Sequence, residues 1–364
     1  MRLTRLIGQD FRNLEPFDLP LDAPFVVFSG ANAQGKTNAL EAVHTLCTLK
    51  PLRGRRGAEL IRFGAEKTTV SGFVRHPDST SAFRVDLGPK GRQCRLDGKR
   101  VVDIEQYFDR IRCISFQPLD GRIVAGEPKF RRQWLDRAAF TASPTHLGVA
   151  KVYRRALQQK VSALRGGSVH RDVLMAFNDQ LARAGAELTE RRVQLLDELQ
   201  PHIRGVHDSL VDGANAVRLQ LRTDGKGNGA SERYHSLMAR FEQVADDEIR
   251  RRRVLCGPHT DDVRVELDGR SARTYGSRGQ IRSLVLALKL AEMVAARQRG
   301  EVPLFLIDDV SSELDRERTR RLVAQLRDLG AQVLATTTDP GHMDSLPREE
   351  TLMIAVDSGS LTNL

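Results

Sequence analysis

The sequence predicts an α/β fold with an inserted, mainly helical second lobe. Three observations predict it. Near the N-terminus the apolar run "PFVVFS" feeds a glycine-containing loop and then a helical pattern. Near the C-terminus a second apolar run, "VPLFLIDD", ends in two carboxylates. Between them the texture turns to helix after helix, and strand and helix patterns return from Gly257 onward. The two mixed ends are expected to form one domain from residues 1–112 and 255–364. Residues 113–254 are expected to form a helical lobe inserted into it or leaning on its side.

The totals are consistent with that division. A chain of 364 residues is long enough for one large domain or two ordinary ones. Apolar residues make up 40% and charged residues 29%, which excludes a disordered chain. The formal net charge of +10 favours an anionic partner, nucleic acid first and anionic lipid second. Cys47, Cys94, Cys113 and Cys256 show neither CxxC nor zinc spacing, and are expected to be reduced, mostly buried thiols. The N-terminal "MRLTRLIGQDFRN" lacks the apolar core of a signal peptide, and no apolar run approaches 18 residues. A cytoplasmic protein with no membrane partner is the expectation.

Taken in order, the chain opens with short apolar runs and turn residues that suggest sheet. "NALEAVHTLCTL" then has helical spacing at Leu40, Val43, Leu46 and Leu49. "TTVSGFVRH", "SAFRVDLG" and "QCRLDGKRV" suggest short strands, with turns at Pro77-Asp78, Pro89-Lys90-Gly91 and Asp97-Gly98. The last of these is a strong two-residue hairpin signal. "GEPKFRRQWLDRAAF", the stretch 146–200 and "HSLMARFEQVADDEIRRRRVL" have helical spacing, and the glycine-rich 222–232 suggests a mobile loop. The helical segments are too interrupted for a long coiled coil.

"GANAQGKT" (30–37) fits GxxxxGK[ST], and it lies between a strand pattern and a helix pattern, as its mechanism requires. Gly30, Ala31, Asn32, Ala33, Gln34 and Gly35 would curl their N–H groups around phosphates, with Asn38 continuing into the helix. Lys36 would reach the β- and γ-phosphates, and Thr37 would hold Mg²⁺. At the end of "VPLFLIDD", Asp308 suits Mg²⁺ and Asp309 sits where a general base could activate water. The loop "SSELD" that follows puts Ser312 and Asp315 where ABC-type ATPases touch a partner subunit.

A second anion-friendly helix start lies in "YGSRGQIRSLVLALKLAE" (275–292). Ser277 and Gln280 form a capping box for a helix that would bury Leu284, Leu288 and Ala291. That account leaves Gly279 unexplained at an early helix position, where it costs up to about 1 kcal/mol against alanine. A closely approaching phosphate would require such bare backbone.

"FRNLEPFDL", "SGANAQGKTNALEAV", "GEPKFRRQWLD", "GPHTDD", "GSRGQIRSLVLALKLAE" and "LFLIDDVSSELD" occur in an order that resembles the RecF family of bacterial recombination mediator ATPases. The resemblance runs over nearly the whole chain, and "GPHTDD" with the signature helix is its most specific part. It implies an SMC-like, ABC-type ATPase head with no long coiled coil, and a cofactor pair of ATP and Mg²⁺. It implies binding to single- and double-stranded DNA at gaps or junctions. It also implies an ATP-dependent homodimer and work with RecR and RecO to load recombinase. In such heads the signature loop, here Ser277, Gly279 and Gln280, meets the γ-phosphate held by the other subunit. Two departures from the ABC pattern stand out. The second acid is Asp309 rather than glutamate, which implies slow hydrolysis. Where transporters carry a switch histidine, "LATTTDP" offers Thr338, with Thr337 as the alternative. Gln117 in "ISFQPLD" is the candidate Q-loop residue and a further Mg²⁺ contact.

Arg53, Arg55 and Arg56, then Lys129, Arg131 and Arg132, then Arg250, Arg251, Arg252 and Arg253 are the candidate DNA-phosphate contacts. For any one cluster a solvated charged face is the alternative. No base-reading motif stands out, so backbone binding that is salt-sensitive and not sequence-specific is expected. His259, Asp261 and Asp262 make a poor metal set and suggest a structural turn, and Trp134 suggests a core residue. An ABC transporter subunit and a P-loop metabolic kinase are the competing readings. The first lacks its histidine, and the second leaves the signature helix unexplained.

Overall fold

The computed structural model describes residues 1–54, 56–166, 171–211 and 216–364. They divide into two compact units, Met1–Asp120 with Asp208–Asp212 and Leu286–Leu364, and Gly121–His207 with Gly213–Val285. The sequence boundaries at 112/113 and 254/255 differ from these because of strand pairing. Cys113–Phe116 pairs with Leu304–Ile307 and so stays in the first unit. Asp262–Leu267 pairs with Val217–Arg222 and Arg270–Ser271, which gives the second unit a three-stranded sheet that its helical texture hid.

The first unit contains a sheet with the strand order Ser360–Asn363, Thr351–Asp357, Phe25–Ser29, Val333–Thr337, Leu304–Ile307, Cys113–Phe116. All neighbours in it are parallel except the final hairpin. Phe25–Ser29, Leu304–Ile307, Cys113–Phe116 and Val333–Thr337 are buried at every residue. Parallel strands covered on both faces are continuous apolar runs for that reason. Their registers are level: Ser29 lies opposite Thr337, and Ile307 lies opposite both Ala335 and Phe116. The loops leaving these strands therefore emerge along one edge, where open α/β sheets bind ligands.

A second sheet in this unit is antiparallel, in the order Phe17–Pro20, Arg2–Gln9, Thr68–Arg75, Thr80–Gly88, Gly91–Leu96, Lys99–Arg100. Burial alternates along Thr68–Arg75, as expected of a strand with one covered face. The Asp97-Gly98 turn is present, with both residues at positive φ, as a type I′ hairpin requires. The helix Lys36–Thr48 contacts strands of both sheets, and its Ala39, Leu40, Val43 and Leu46 are buried.

The second unit carries the helices Pro128–Ala142, His146–Arg165 and Gly229–Arg251, and nearly all of Arg171–Leu210. That last helix runs 40 residues and continues through Pro201, longer than the interrupted pattern suggested. Tyr153, Leu174, Leu181, Leu237 and Phe241 belong to the buried core of the unit. The glycine-rich segment expected to be mobile is pinned instead. Lys226 N–H donates to Ser236 Oγ, Asn228 N–H to Glu232 Oε2, and Arg233 Nη1 to the Gly225 carbonyl. The four cysteines are free and buried, and Trp134 is a core residue. Among the described residues no helix is long and apolar enough to cross a membrane.

Candidate nucleotide site

Phe25–Ser29 delivers the glycine loop, and Lys36–Thr48 takes it up. Gly35, at the helix N-cap, has φ 119°, which only glycine adopts without strain. A Cβ on Gly30 would lie 2.2 Å from the Val356 carbonyl, so the loop packs directly on the C-terminal hairpin. Gln34 ties the two together: its carbonyl accepts from Gly359 N–H at 2.9 Å, and its Oε1 accepts from Ser358 N–H at 2.6 Å. The Gln34 side chain thus holds the loop, and the loop backbone is left for a ligand. On the other side Asn38 Nδ2 donates to Asn13 Oδ1 at 2.6 Å.

The loop, one carboxylate and a threonine surround a cavity of about 230 Å³, lined by Asn32, Gly35, Lys36, Thr37, Asp309 and Thr336 among others, and Asp308 is bonded to its Thr37 and Thr336. Lys36 Nζ donates to the Ala31 carbonyl at 2.7 Å. Burial lowers its pKa, and Asp309 and then Asp308 oppose that shift. Asp308 is fully buried and accepts hydrogen bonds on both oxygens. Its Oδ1 accepts from Thr37 Oγ1 at 2.8 Å and from Thr336 Oγ1 at 2.9 Å, and its Oδ2 takes Arg53 Nη2. Asp309 adopts φ 60°, and its Oδ1 is buried with no hydrogen-bond partner among the described residues. Its N–H donates to Thr336 Oγ1 at 2.7 Å. Hard oxygen donors from Thr37 and Asp308 face a phosphate loop, a set that fits Mg²⁺.

Two sequence expectations shift here. Thr338 is exposed and pairs with Ser311 Oγ at 3.1 Å, and buried Thr337 bonds within its own turn, to the Asp339 carbonyl. Thr336 is the threonine that reaches the Asp308 carboxylate and the Asp309 backbone N–H, because register sets it beside the end of Leu304–Ile307. Gln117 follows Cys113–Phe116, level with Asp308, but its Nε2 donates to Ser115 Oγ at 3.2 Å and it does not line the cavity.

The signature segment forms the expected capping box: Ser277 N–H donates to Gln280 Oε1 at 2.9 Å and Gln280 N–H to Ser277 Oγ at 3.3 Å. The helix Arg278–Gln298 buries Leu284, Leu288 and Ala291 completely, while Ser277 and Gln280 are exposed. Ser283 Oγ donates to the Gly279 carbonyl.

The chain is 41% identical to the DNA replication and repair protein RecF of Anaeromyxobacter sp. (strain Fw109-5), over the whole of both chains. A family model described as the RecF/RecN/SMC N terminal domain matches residues 2–360. The chain belongs to the RecF family. RecF of Myxococcus xanthus (strain DK1622) is 39% identical over 99% of this chain and 97% of its own. The solved structure of the recombination mediator protein RecF-ATPrS in the RecFOR pathway superposes with TM-score 0.90, at 24% identity, covering 100% of this chain and 98% of that one. An Smc head bound to the C-winged helix domain of ScpA has TM-score 0.61 at 15% identity, covering 100% and 97%. The RecF fold is thus an ABC-type ATPase head of the SMC kind. Family membership also removes the transporter and kinase readings.

The basic clusters separate once their partners are seen. Arg55 lies outside the described residues, and Arg56 is exposed. Arg53 lines the nucleotide cavity and is paired with Asp308 rather than free for DNA. Arg131 is buried and bidentate to Asp262, at 2.6 and 3.0 Å, with Nη1 on the Gly126 carbonyl. Arg132 Nη1 donates to the Asp261 carbonyl at 2.6 Å, and exposed Lys129 pairs with Glu127. All three bond to other groups of the second unit. Arg250 pairs with Asp247, while Arg251, Arg252 and Arg253 are exposed with no side-chain partner among the described residues. The acids of "GPHTDD" are likewise consumed, Asp262 by Arg131 and Asp261 by Arg192 Nη1 at 2.9 Å. Among the described residues no group of three His, Cys, Asp or Glu could hold a metal.

Proposed function

We propose that this chain is an ATP-switched DNA-binding protein of recombinational DNA repair and replication-fork maintenance. The observation that carries the proposal is the cavity lined by Lys36, Thr37, Asp309 and Thr336, with buried Asp308 bonded to Thr37 and Thr336. Backbone N–H groups of the loop and Lys36 bind the ATP phosphates. Thr37 and Asp308 hold Mg²⁺, which when bound neutralises phosphate charge. Thr336 fixes the Asp308 carboxylate and the Asp309 backbone. Asp309 Oδ1, which has no donor among the described residues, takes the proton of an attacking water. An aspartate is shorter than the glutamate of ABC transporters, so turnover is slow.

The signature turn at Ser277 and Gly279 serves the ATP of a second copy, so ATP promotes a symmetric dimer. Resemblance to RecF, and the RecFOR context of the solved RecF structures, supports single- and double-stranded DNA at gaps as ligand and RecR and RecO as partners. ATP turnover is to be measured with and without double-stranded DNA, at low and moderate salt. Stimulation that fades as salt rises is expected, because backbone binding releases counterions. Turnover indifferent to DNA at both salts would remove the DNA-linked part of the proposal.

A further inference from the structure

We infer that the turn of the C-terminal hairpin, Ser358-Gly359, is a positioning device for the phosphate loop: it pins the Gln34 peptide and so aims the Gly35 N–H at a phosphate. The inference rests on the phosphate-binding reading of the loop. It adds two positioning residues to that site, although Ser358 lies 324 residues from Gln34 in the chain.

Sheet register brings the two segments together. Thr351–Asp357 runs parallel to Phe25–Ser29, with Ala355 opposite Ser29. The hairpin turn and the phosphate loop therefore leave neighbouring strands at the same edge. They meet backbone to backbone, since Gly30 has no room for a Cβ beside the Val356 carbonyl.

The loop needs outside support at Gln34. Its neighbours Ala33 and Gly35 both have positive φ, 65° and 119°. That region is uncommon for alanine, and such backbone persists only where its surroundings over-determine it. The turn supplies the support. Gly359 N–H donates to the Gln34 carbonyl at 2.9 Å, and Ser358 N–H donates to Gln34 Oε1 at 2.6 Å. Both donors depend on the shape of the turn, with φ 50° at Ser358 and 90° at Gly359. The turn is anchored in its own right. The Gly359 carbonyl accepts from Glu15 N–H at 2.9 Å, and a Cβ on Gly359 would lie 2.2 Å from the Asn13 carbonyl.

A trans peptide is planar, so its C=O and N–H point in opposite directions. With the Gln34 carbonyl held against the hairpin, the Gly35 N–H is directed away from it. Gly35 lines the phosphate cavity. With the turn displaced, the loop samples conformations in which that N–H is misdirected, and apparent affinity falls with the competent fraction. The loss concerns the phosphates and not the rest of the nucleotide.

The test compares equilibrium binding of ATP and of inorganic triphosphate, each with Mg²⁺, alongside urea unfolding of the full chain and two variants. Gly359→Ala puts a side chain at positive φ and against Asn13. It is expected to weaken both ligands about tenfold, the order for losing one or two hydrogen bonds that hold the loop. Gly98→Ala is the control. It lies in the Asp97-Gly98 hairpin of the same unit at φ 77°, and a Cβ there meets nothing within 4 Å. It should lower stability through the same backbone strain and leave both affinities as in the parent. Parental triphosphate affinity in Gly359→Ala, or equal losses in the two variants, would overturn the inference. The parent chain gives a second readout that does not depend on a variant folding. Inorganic triphosphate should slow hydrogen exchange at the Ser358 and Gly359 N–H groups more than at Gly98, because a ligand that needs the turn in place holds it there. Exchange at the turn that ignores the ligand, or slows only as much as at Gly98, would likewise overturn it. Failure of the phosphate-loop reading is a separate result: Lys36→Ala would then bind ATP and inorganic triphosphate as the parent chain does.

Discussion

Thr336 Oγ1 donates to Asp308 Oδ1 at 2.9 Å and accepts from the N–H of Asp309 at 2.7 Å, so one hydroxyl orients both acids of the site. It is buried, and so is Asp308. Thr336→Val keeps the shape and removes the hydroxyl. The Asp309 N–H is then left without its acceptor, at a cost of about 1–3 kcal/mol. The Asp308 carboxylate and the Asp309 backbone lose their common anchor, and a misplacement of about 1 Å at the reacting groups lowers turnover by roughly 100-fold. ATP affinity should change little, because the phosphate loop is untouched. Thr336→Ser should keep most activity. Steady-state turnover and urea unfolding of the three proteins check this, and wild-type turnover in Thr336→Val would refute it.

The arginine clusters should separate by assay. Arg53 belongs to the nucleotide cavity through its contact with Asp308. Arg53→Ala is expected to alter ATP turnover and leave the salt dependence of DNA binding as it was. Arg251, Arg252 and Arg253 are exposed and unpaired among the described residues. Replacing all three with alanine should lower the slope of log affinity against log salt by up to about 2.7 if each meets a phosphate. ATP turnover without DNA should be unchanged. Titrations of DNA at several salt concentrations decide it, and an unchanged slope means those three residues face solvent only.

How much of this was legible in the sequence follows from the range of each interaction. The phosphate loop, the two acids and the capping box at Ser277 are local patterns, and each is read from a few adjacent residues. The choice among Thr336, Thr337 and Thr338 is not local. It depends on the register between Val333–Thr337 and Leu304–Ile307, which no short window contains. The partners of the second basic cluster were hidden for a related reason. Arg131 looks like any surface arginine until Asp262, which is 131 residues away in the chain, is brought against it. The strand Val217–Arg222 was hidden because its partner, Asp262–Leu267, lies beyond an intervening helix.

His259 gives the second unit a pH dependence with a definite sign. Its Nδ1 meets the Tyr153 hydroxyl at 2.7 Å, and burial pushes its pKa down to about 4. The unfolded histidine binds its proton near the ordinary value of about 6.5. Between those values the unfolded chain holds more protons, so stability falls as pH drops from about 6.5 towards 4. The loss attributable to this group is on the order of 3 kcal/mol, and above pH 7 it contributes no slope. Asp261 moves the other way, since burial raises its pKa, so the difference between variants is the useful quantity. His259→Gln should flatten the urea-unfolding profile between pH 4 and 6.5 relative to the parent. A parallel offset, with the slope retained, would show that His259 does not titrate in this way.

Ser277 separates a capped helix from an intersubunit phosphate site. The capping box is present in the single chain, so Ser277→Ala should cost about 1 kcal/mol of stability whatever else the residue does. Ser277→Arg places a long cation on an exposed turn whose helix buries Leu284 and Leu288 regardless. If the turn meets the γ-phosphate held by a second copy, the bulky side chain keeps the copies apart. ATP binding to the monomer should then survive, while ATP-dependent dimerisation and turnover are abolished. Light scattering with and without ATP, alongside nucleotide binding, checks both halves. An arginine variant that still dimerises with ATP would reduce the segment to its capping role, because the observed bonds of Ser277, to Gln280 and to the Ile281 N–H, all serve the helix start.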